Sequence, residues 1–509
     1  MKTTIFNYGI DQLTVETAIG LANGSVKGVL NDKAVQQIGK SQLCVSAIVE
    51  KGQTVYGINT GFGILADTAI SADDTRLLQH KILQSHSVGV GKNVPDEIAK
   101  LMMITKVHAL ARGYSGVRLE TIERILWHID ENVIPAVPEK GSVGASGDLA
   151  PLAHLFLPLI GLGECNGVPT REILARHGLE PLQPGPKEGL ALINGTQFIL
   201  AFAVKGVQRL LNCLEAADII GAMSLEALSG TKAPFDERLH QLRPFHGTLL
   251  VAKRLRLLLE DSEIMQSHID CGRVQDPYSL RCIPQVHGAS RNAWSHLREL
   301  TETELNAVTD NPIIFDEHTT VSGGNFHGQP LALPLDYACL AAAEIGNISD
   351  RRCYLLLEGK WGLPMLLMKK VGLNSGFMIP QYTTAALVTE NKTHCFPASA
   401  DSIPTSLGQE DHVSMGSISG RKLSLVLDNL EYILAIELLT ACQAIEFRRP
   451  LKSSVLLEAA HDFVRTQVSF AEEDRVFSAD INKIQTMIHD FSFVQHVTET
   501  ASKHQMNLP

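Results

Sequence analysis

Gly141-Ser142-Val143-Gly144-Ala145-Ser146-Gly147-Asp148-Leu149-Ala150-Pro151-Leu152-Ala153-His154 is the stretch on which the reading of this chain turns. At its centre, Ala145-Ser146-Gly147 has the residue types for a backbone cyclisation. The Gly147 nitrogen can attack the Ala145 carbonyl, and Ser146 can lose its hydroxyl as water. Gly147 has no Cβ, so its backbone can reach the strained geometry of ring closure. Ala145 is small enough not to block the approach. The product is a five-membered ring with an exocyclic methylene, an electrophile that no ordinary side chain matches. A plainer reading stands beside this one, in which Gly141, Gly144 and Gly147 only mark turns. A phosphate loop fits poorly, because the Lys-Ser/Thr ending of a Walker motif is missing.

Around this stretch lie 509 residues, enough for a large core and more than one domain. The chain is 45% hydrophobic and 19% charged, as in ordinary soluble enzymes. A net charge of −11 argues against nucleic acid or an anionic membrane as partner. Nine cysteines are scattered without a Cys-x-x-Cys pair (Cys44, Cys165, Cys213, Cys271, Cys282, Cys339, Cys353, Cys395 and Cys442), which fits reduced thiols. The N-terminus has no long apolar run, and no segment reads as a membrane span of about 20 apolar residues. These features together predict a cytoplasmic protein.

Up to about residue 196 the segments are short and punctuated by Gly and Pro. The pattern predicts a helix near 11–22, a strand at Thr54-Val55-Tyr56 and a loop through Asn59-Thr60-Gly61-Phe62-Gly63. Helices follow near 74–87 and 95–112, and another starts near Leu149. Beyond Asn194-Gly195-Thr196 long helical patterns take over. Leu200, Val204, Val207, Leu211 and Leu214 are spaced 4, 3, 4 and 3 residues apart, one face of a helix. Leu423, Val426, Leu427, Leu430, Ile433 and Leu434 repeat the pattern. Between them Pro312–Phe315 and Asp316–Ser322 predict a short hairpin. The expected division is a domain over 1–196 and a helical bundle over 197–509. Tyr337–Ala343 is apolar on more than one face, which points to burial between subunits as well as within one.

The fourteen-residue run closely resembles the signature of the aromatic amino acid ammonia-lyases, and the resemblance extends over nearly the whole chain. In that family the cyclised tripeptide is the cofactor MIO (4-methylidene-imidazol-5-one), with no metal or dissociable cofactor. The resemblance implies a mainly α fold, with a mixed N-terminal domain and a long helical bundle like that of fumarase and aspartase. It also implies a homotetramer in which several subunits line each active site.

The same resemblance assigns roles to polar residues that would otherwise pass as structural. Tyr56, in Tyr56-Gly57-Ile58-Asn59-Thr60-Gly61-Phe62-Gly63, would place its hydroxyl by the electrophile and the substrate amine. Gln275, Tyr278 and Arg281, in Gln275-Asp276-Pro277-Tyr278-Ser279-Leu280-Arg281-Cys282, would face the substrate. Arg281 suits a carboxylate held by two parallel hydrogen bonds, and Tyr278 would accept the β-proton. Asn194 would bond near the MIO carbonyl oxygen, as an oxyanion-hole donor does. Phe326, in Ser322-Gly323-Gly324-Asn325-Phe326-His327-Gly328, would lie against the substrate.

Two positions bear on which amino acid is used. The pair matching Ser85-His86 is His-Leu in tyrosine-specific relatives and Phe-Leu in phenylalanine-specific ones, whereas histidine-specific members carry Ser-His. Relatives acting on phenylalanine or tyrosine generally have Gln where Glu410 stands. A carboxylate suits an imidazole N–H and is costly to bury beside a phenyl ring. Both positions imply L-histidine as substrate, with trans-urocanate and ammonia as products. Gly408, often Asn in those members, and Gly328-Gln329 are mild departures. A tyrosine ammonia-lyase or a related aminomutase is the nearest rival. A silent helical scaffold would need an inert tripeptide among an intact set of polar partners. A metal-dependent lyase lacks any His-x-x-x-His or Cys/His ligand spacing.

Overall fold

The computed structural model describes residues 4–52, 54–60, 70, 72–269 and 272–509. Gly61, Phe62, Gly63 and Cys271 lie outside the described residues. Among the described residues the fold is mainly α, with strands only in four two-stranded ladders. By compactness the chain forms two units. The first comprises 1–206, 297–336 and 397–421, and the second 207–296, 337–396 and 422–509.

In the first unit the helices expected from periodicity appear at Val15–Ala22, Ala72–His86, Asp96–Ala111 and Leu149–Phe156. Local chemistry sets their starts. The Thr14 side chain accepts from the Thr17 N–H, a cap that satisfies one of the free donors of a first turn. Pro95 precedes Asp96 and Glu97, whose charges suit the positive end of a helix. Helix Asp96–Ala111 is buried on every side from Leu101 to Ala111 and packs against Val15–Ala22, Asp32–Glu50 and Leu119–Asp130. Helix Leu149–Phe156 packs against Ala72–His86 and the short Glu188–Ile193. Thr54-Val55-Tyr56 is not a strand. It forms an extended stretch and a turn in which the Asn59 side chain accepts from the Val55 N–H at 2.9 Å. Among the described residues no strand pairs with it, and its β-favouring residues settle into a turn. The predicted hairpin is present, Ile313–Ile314 pairing antiparallel with Thr320–Val321.

In the second unit, segments of the helices Gln197–Ala227, Ile283–Leu305, Gln329–Leu357 and Gly416–Glu446 carry the core. Val207 and Leu214 are buried, but so are Ala216 and Ile220 on the opposite side of the helix. A helix apolar all round belongs in the interior. Two buried carboxylates of this unit each gather several donors. Glu437 accepts from Arg352 Nε (2.5 Å) and Nη2 (2.9 Å), Ser224 Oγ (2.7 Å) and Ser349 Oγ (2.5 Å). Asp218 accepts from Arg254, His287 and Arg291. Burial alone would raise the Asp218 carboxyl, but Arg291, the His287 bond and Arg254 hold it well below the usual carboxylate range.

Among the described residues one helix, Gln329–Leu357, is long and apolar enough to cross a membrane by length and composition alone. Its most apolar window is 72% buried, as in the core helix of a globular fold. On the same helix Tyr337, Leu340 and Tyr354 are about half exposed.

The Glu437 cluster generates a stability prediction. Glu437→Leu leaves the Arg352 guanidinium buried without its carboxylate, a change worth about 3–5 kcal/mol. The urea midpoint should fall accordingly. An unchanged midpoint would show that the cluster contributes nothing net.

Candidate active site

The run Ser142–Asp148 is pinned from three sides within the first unit. Ser417 Oγ donates to the Ser142 carbonyl (2.6 Å), the Met415 N–H to the Val143 carbonyl (2.9 Å) and Ser414 Oγ to the Gly144 carbonyl (3.1 Å). Asp148 is fully buried. Its carboxylate accepts from Ser142 Oγ (2.9 Å) and the Ile199 N–H (3.0 Å), while burial pushes its pKa up to about 7. The third side is the turn Asn194–Thr196. Gly195 accepts from the Asp148 N–H at 2.7 Å, and Asn194 Nδ2 donates to the Ser146 carbonyl at 2.7 Å. Gly147 has φ +76°, and a Cβ there would lie 2.1 Å from the Gly195 carbonyl oxygen. Only glycine allows this approach.

A cavity of about 930 Å³ opens over the tripeptide. It is lined by Tyr56, Ser85, His86, Ala145, Ser146, Asn194, Phe326 and Glu410, and every lining residue belongs to the first unit. A smaller space of about 210 Å³ reaches Gly147. Ser146 Oγ donates to Glu410 Oε1 at 2.6 Å. The other carboxylate oxygen accepts from Thr405 Oγ1 at 2.8 Å, and the Thr405 N–H donates to the Glu410 carbonyl at 2.9 Å. Glu410 is thus held at both backbone and side chain. His86 closes the helix Ala72–His86, its Nδ1 3.0 Å from Ser85 Oγ. Burial lowers the His86 pKa, while the bond to the Ile82 backbone and the Glu410 charge act in the opposite direction. The Phe326 loop is fixed by Asn311, which accepts from the Gly323 N–H (2.7 Å) and donates to Ser322 Oγ (3.0 Å).

The structure therefore brings together Tyr56, His86, Ala145, Ser146, Asn194, Phe326 and Glu410, with Gly147 beside them. Gln275, Tyr278 and Arg281 belong to the second unit. There buried Asp276 accepts from the Thr231 N–H (2.6 Å) and Arg273 Nη1 (2.7 Å), fixing their loop. Tyr278 is 71% exposed, and the Arg281 guanidinium lies 4.6 Å from the centre of its ring. Arg281 Nε is buried and unpaired. Among the described residues no group of three His, Cys, Asp or Glu side chains could hold a metal ion.

Three features escaped sequence reasoning. Thr405 orients Glu410 but looks like an ordinary loop Thr. His327 and His412 also line the cavity, their rings stacked at 5.8 Å. Lys106 is buried, and its Nζ donates to the carbonyls of Ala191 (2.9 Å) and Asn194 (2.8 Å). Burial lowers its pKa to about 7. The signal for Lys106 was available: one Lys among the mostly apolar residues of the helical run Leu101–Ala111.

Residues 13–466 match the family described as aromatic amino acid lyase. The chain is 46% identical over 483 residues to a histidine ammonia-lyase of Pseudoalteromonas atlantica, covering 94% of this chain and 95% of that one. The crystal structure of histidine ammonia-lyase from Trypanosoma cruzi superposes with a TM-score of 0.90 at 41% identity, over 98% of this chain and 95% of the other. A tyrosine aminomutase from Streptomyces globisporus superposes with a TM-score of 0.93 at 33% identity, over 99% and 100%.

The geometry predicts a titration. In spectra of selectively labelled histidine, His86 should titrate below the usual value near 6.5. Glu410→Gln should lower that midpoint further, because a charge that favours the imidazolium is gone. A midpoint that rises in the variant would contradict this arrangement.

Proposed function

The chain belongs to the aromatic amino acid lyase family, and from that premise we propose that it is a histidine ammonia-lyase, releasing ammonia from L-histidine without oxidation to give trans-urocanate, the first step of histidine degradation. The observation that carries the substrate is Glu410, a carboxylate fixed by Thr405 and turned into the cavity near His86. Such a pair suits an imidazole N–H and offers a phenol or phenyl ring little.

The residues at the tripeptide fit MIO. Gly147 has the left-handed backbone and the bare flank that ring closure needs, and Ala145 and Ser146 face the cavity. The cyclised group supplies an electrophilic methylene. Asn194 Nδ2, on the Ser146 carbonyl, is a fixed donor where negative charge can collect. Tyr56 directs its hydroxyl to the substrate amine, and Phe326 covers the substrate ring.

Arg281 takes the substrate carboxylate through its planar fork, Gln275 lies beside it, and Tyr278 accepts the β-proton. We assign these three to a neighbouring copy in a homotetramer. Their support is the exposure of Tyr278, the unpaired Arg281 Nε, and the exposed Tyr337, Leu340 and Tyr354 on a long helix, which a subunit contact would cover. The described cysteines are all free thiols, which supports a reducing, cytoplasmic setting.

Two experiments test this function. Ser146→Ala has no hydroxyl to eliminate, so activity should fall by several orders of magnitude while the fold remains. The parent's intact mass should lie about 36 Da below that of the sequence, two waters lost. Parent-like turnover by Ser146→Ala would end the MIO reading. Glu410→Gln exchanges a charge-assisted bond of about 1.5–3 kcal/mol for a neutral one of about 1. Histidine turnover, read from urocanate absorbance, should drop by several-fold to about tenfold. A parent that prefers tyrosine would replace histidine as the assigned substrate.

A further inference from the structure

Lys106 has no part in the chemistry described so far. Its placement is nonetheless unusual. Helix Asp96–Ala111 is buried on every face around it, where an apolar side chain would pack without desolvating a cation. Its Nζ bonds no carboxylate. It reaches across to the end of helix Glu188–Ile193 and holds two carbonyls, Ala191 and Asn194. Both bonds need only two N–H groups, which the nitrogen has whether or not it is charged.

The peptide it grips is the one that grips the tripeptide. Asn194 presents Nδ2 to the Ser146 carbonyl, and Gly195 takes the Asp148 N–H. With Ser414 on the Gly144 carbonyl, the chain is fixed just before, within and just after the atoms that must join. We propose that Lys106 is a positioning residue for cyclisation of Ala145-Ser146-Gly147, acting through the Asn194–Gly195 peptide.

The inference rests on the MIO reading, and the chemistry needs no co-reactant. The Gly147 nitrogen forms a bond to the Ala145 carbonyl carbon. The Ala145 oxygen leaves as water with the Gly147 and Ser146 amide hydrogens, leaving a C=N bond. Ser146 then loses its Cα hydrogen and its hydroxyl as the second water. Charge from that Cα–H cleavage passes onto the Ser146 carbonyl oxygen, where Asn194 already donates. A turn freed of its Lys106 anchor would lose the alignment on which an intramolecular attack depends.

The test follows intact mass during a chase after cell-free synthesis, for the parent, Lys106→Met, Lys106→Gln and His108→Leu. His108 is a buried residue of the same helix that bonds the Gly9 N–H instead. It controls for loss of stability alone. Folding is checked by circular dichroism and by oligomeric state. We expect the parent to reach a loss of about 36 Da. Folded Lys106→Met should convert more slowly, on the order of a hundredfold, accumulating unmodified chain. Lys106→Gln, which keeps an N–H donor, should fall between the two. His108→Leu should convert at the parent's rate even if it melts earlier. Folded Lys106→Met converting like the parent, or slowed no more than His108→Leu, overturns the proposal. If Lys106→Met does not fold, Lys106→Gln is judged by the same rule. A parent without any mass loss overturns the MIO reading instead, a different result from a fast variant.

Discussion

Two stretches of backbone meet at Gly147 and Gly195 with no side chain between them, and the candidate site is organised by that contact. The Asp148 N–H to Gly195 bond and the Asn194 amide on the Ser146 carbonyl exist because the two chains come so close. A methyl group at Gly147 would push them apart, and one at Gly195 would collide with the Gln197 and Thr309 side chains. The approach is stabilised from behind by buried polar groups, Asp148 on one strand of chain and Lys106 on the other. Each is costly to bury, and each is hydrogen-bonded to backbone that would otherwise be unsatisfied.

The second unit uses buried charge differently. Glu437 and Asp218 each gather several donors from helices far apart in sequence. Replacing such a cluster by apolar residues of similar volume often costs little, whereas breaking one costs much. Its effect is to penalise any packing that separates the partners. Long helices that are apolar on several faces could otherwise slide by a turn, because neighbouring registers bury similar area.

Much of this was legible in the sequence. The spacing of Leu200, Val204 and Val207 gave the helix Gln197–Ala227, and the polar gap after Phe315 gave the hairpin. Tyr56, His86, Ser146, Asn194, Phe326 and Glu410 were readable through motifs, and they line one cavity. Thr54-Val55-Tyr56 misled because strand preference needs a partner strand, which local sequence does not report. Thr405 was silent because the local sequence does not show its side chain turning to Glu410 five residues on, and Lys106 stood out as a cation in a buried helix but its partners lie 85 and 88 residues away. The interleaving of three segments in each compact unit carries no local signal, since it depends on contacts between residues hundreds of positions apart.

The hydrogen bond from Ser146 Oγ to Glu410 Oε1 has a consequence in time. Under the MIO proposal, the hydroxyl that occupies Glu410 is the one that leaves when the tripeptide matures. Until then, the carboxylate oxygen assigned to the imidazole is masked by the chain's own serine. Maturation and recognition draw on one atom and are therefore sequential. On that proposal, activation of the newly folded chain consists of losing the group that blocks its own recognition site.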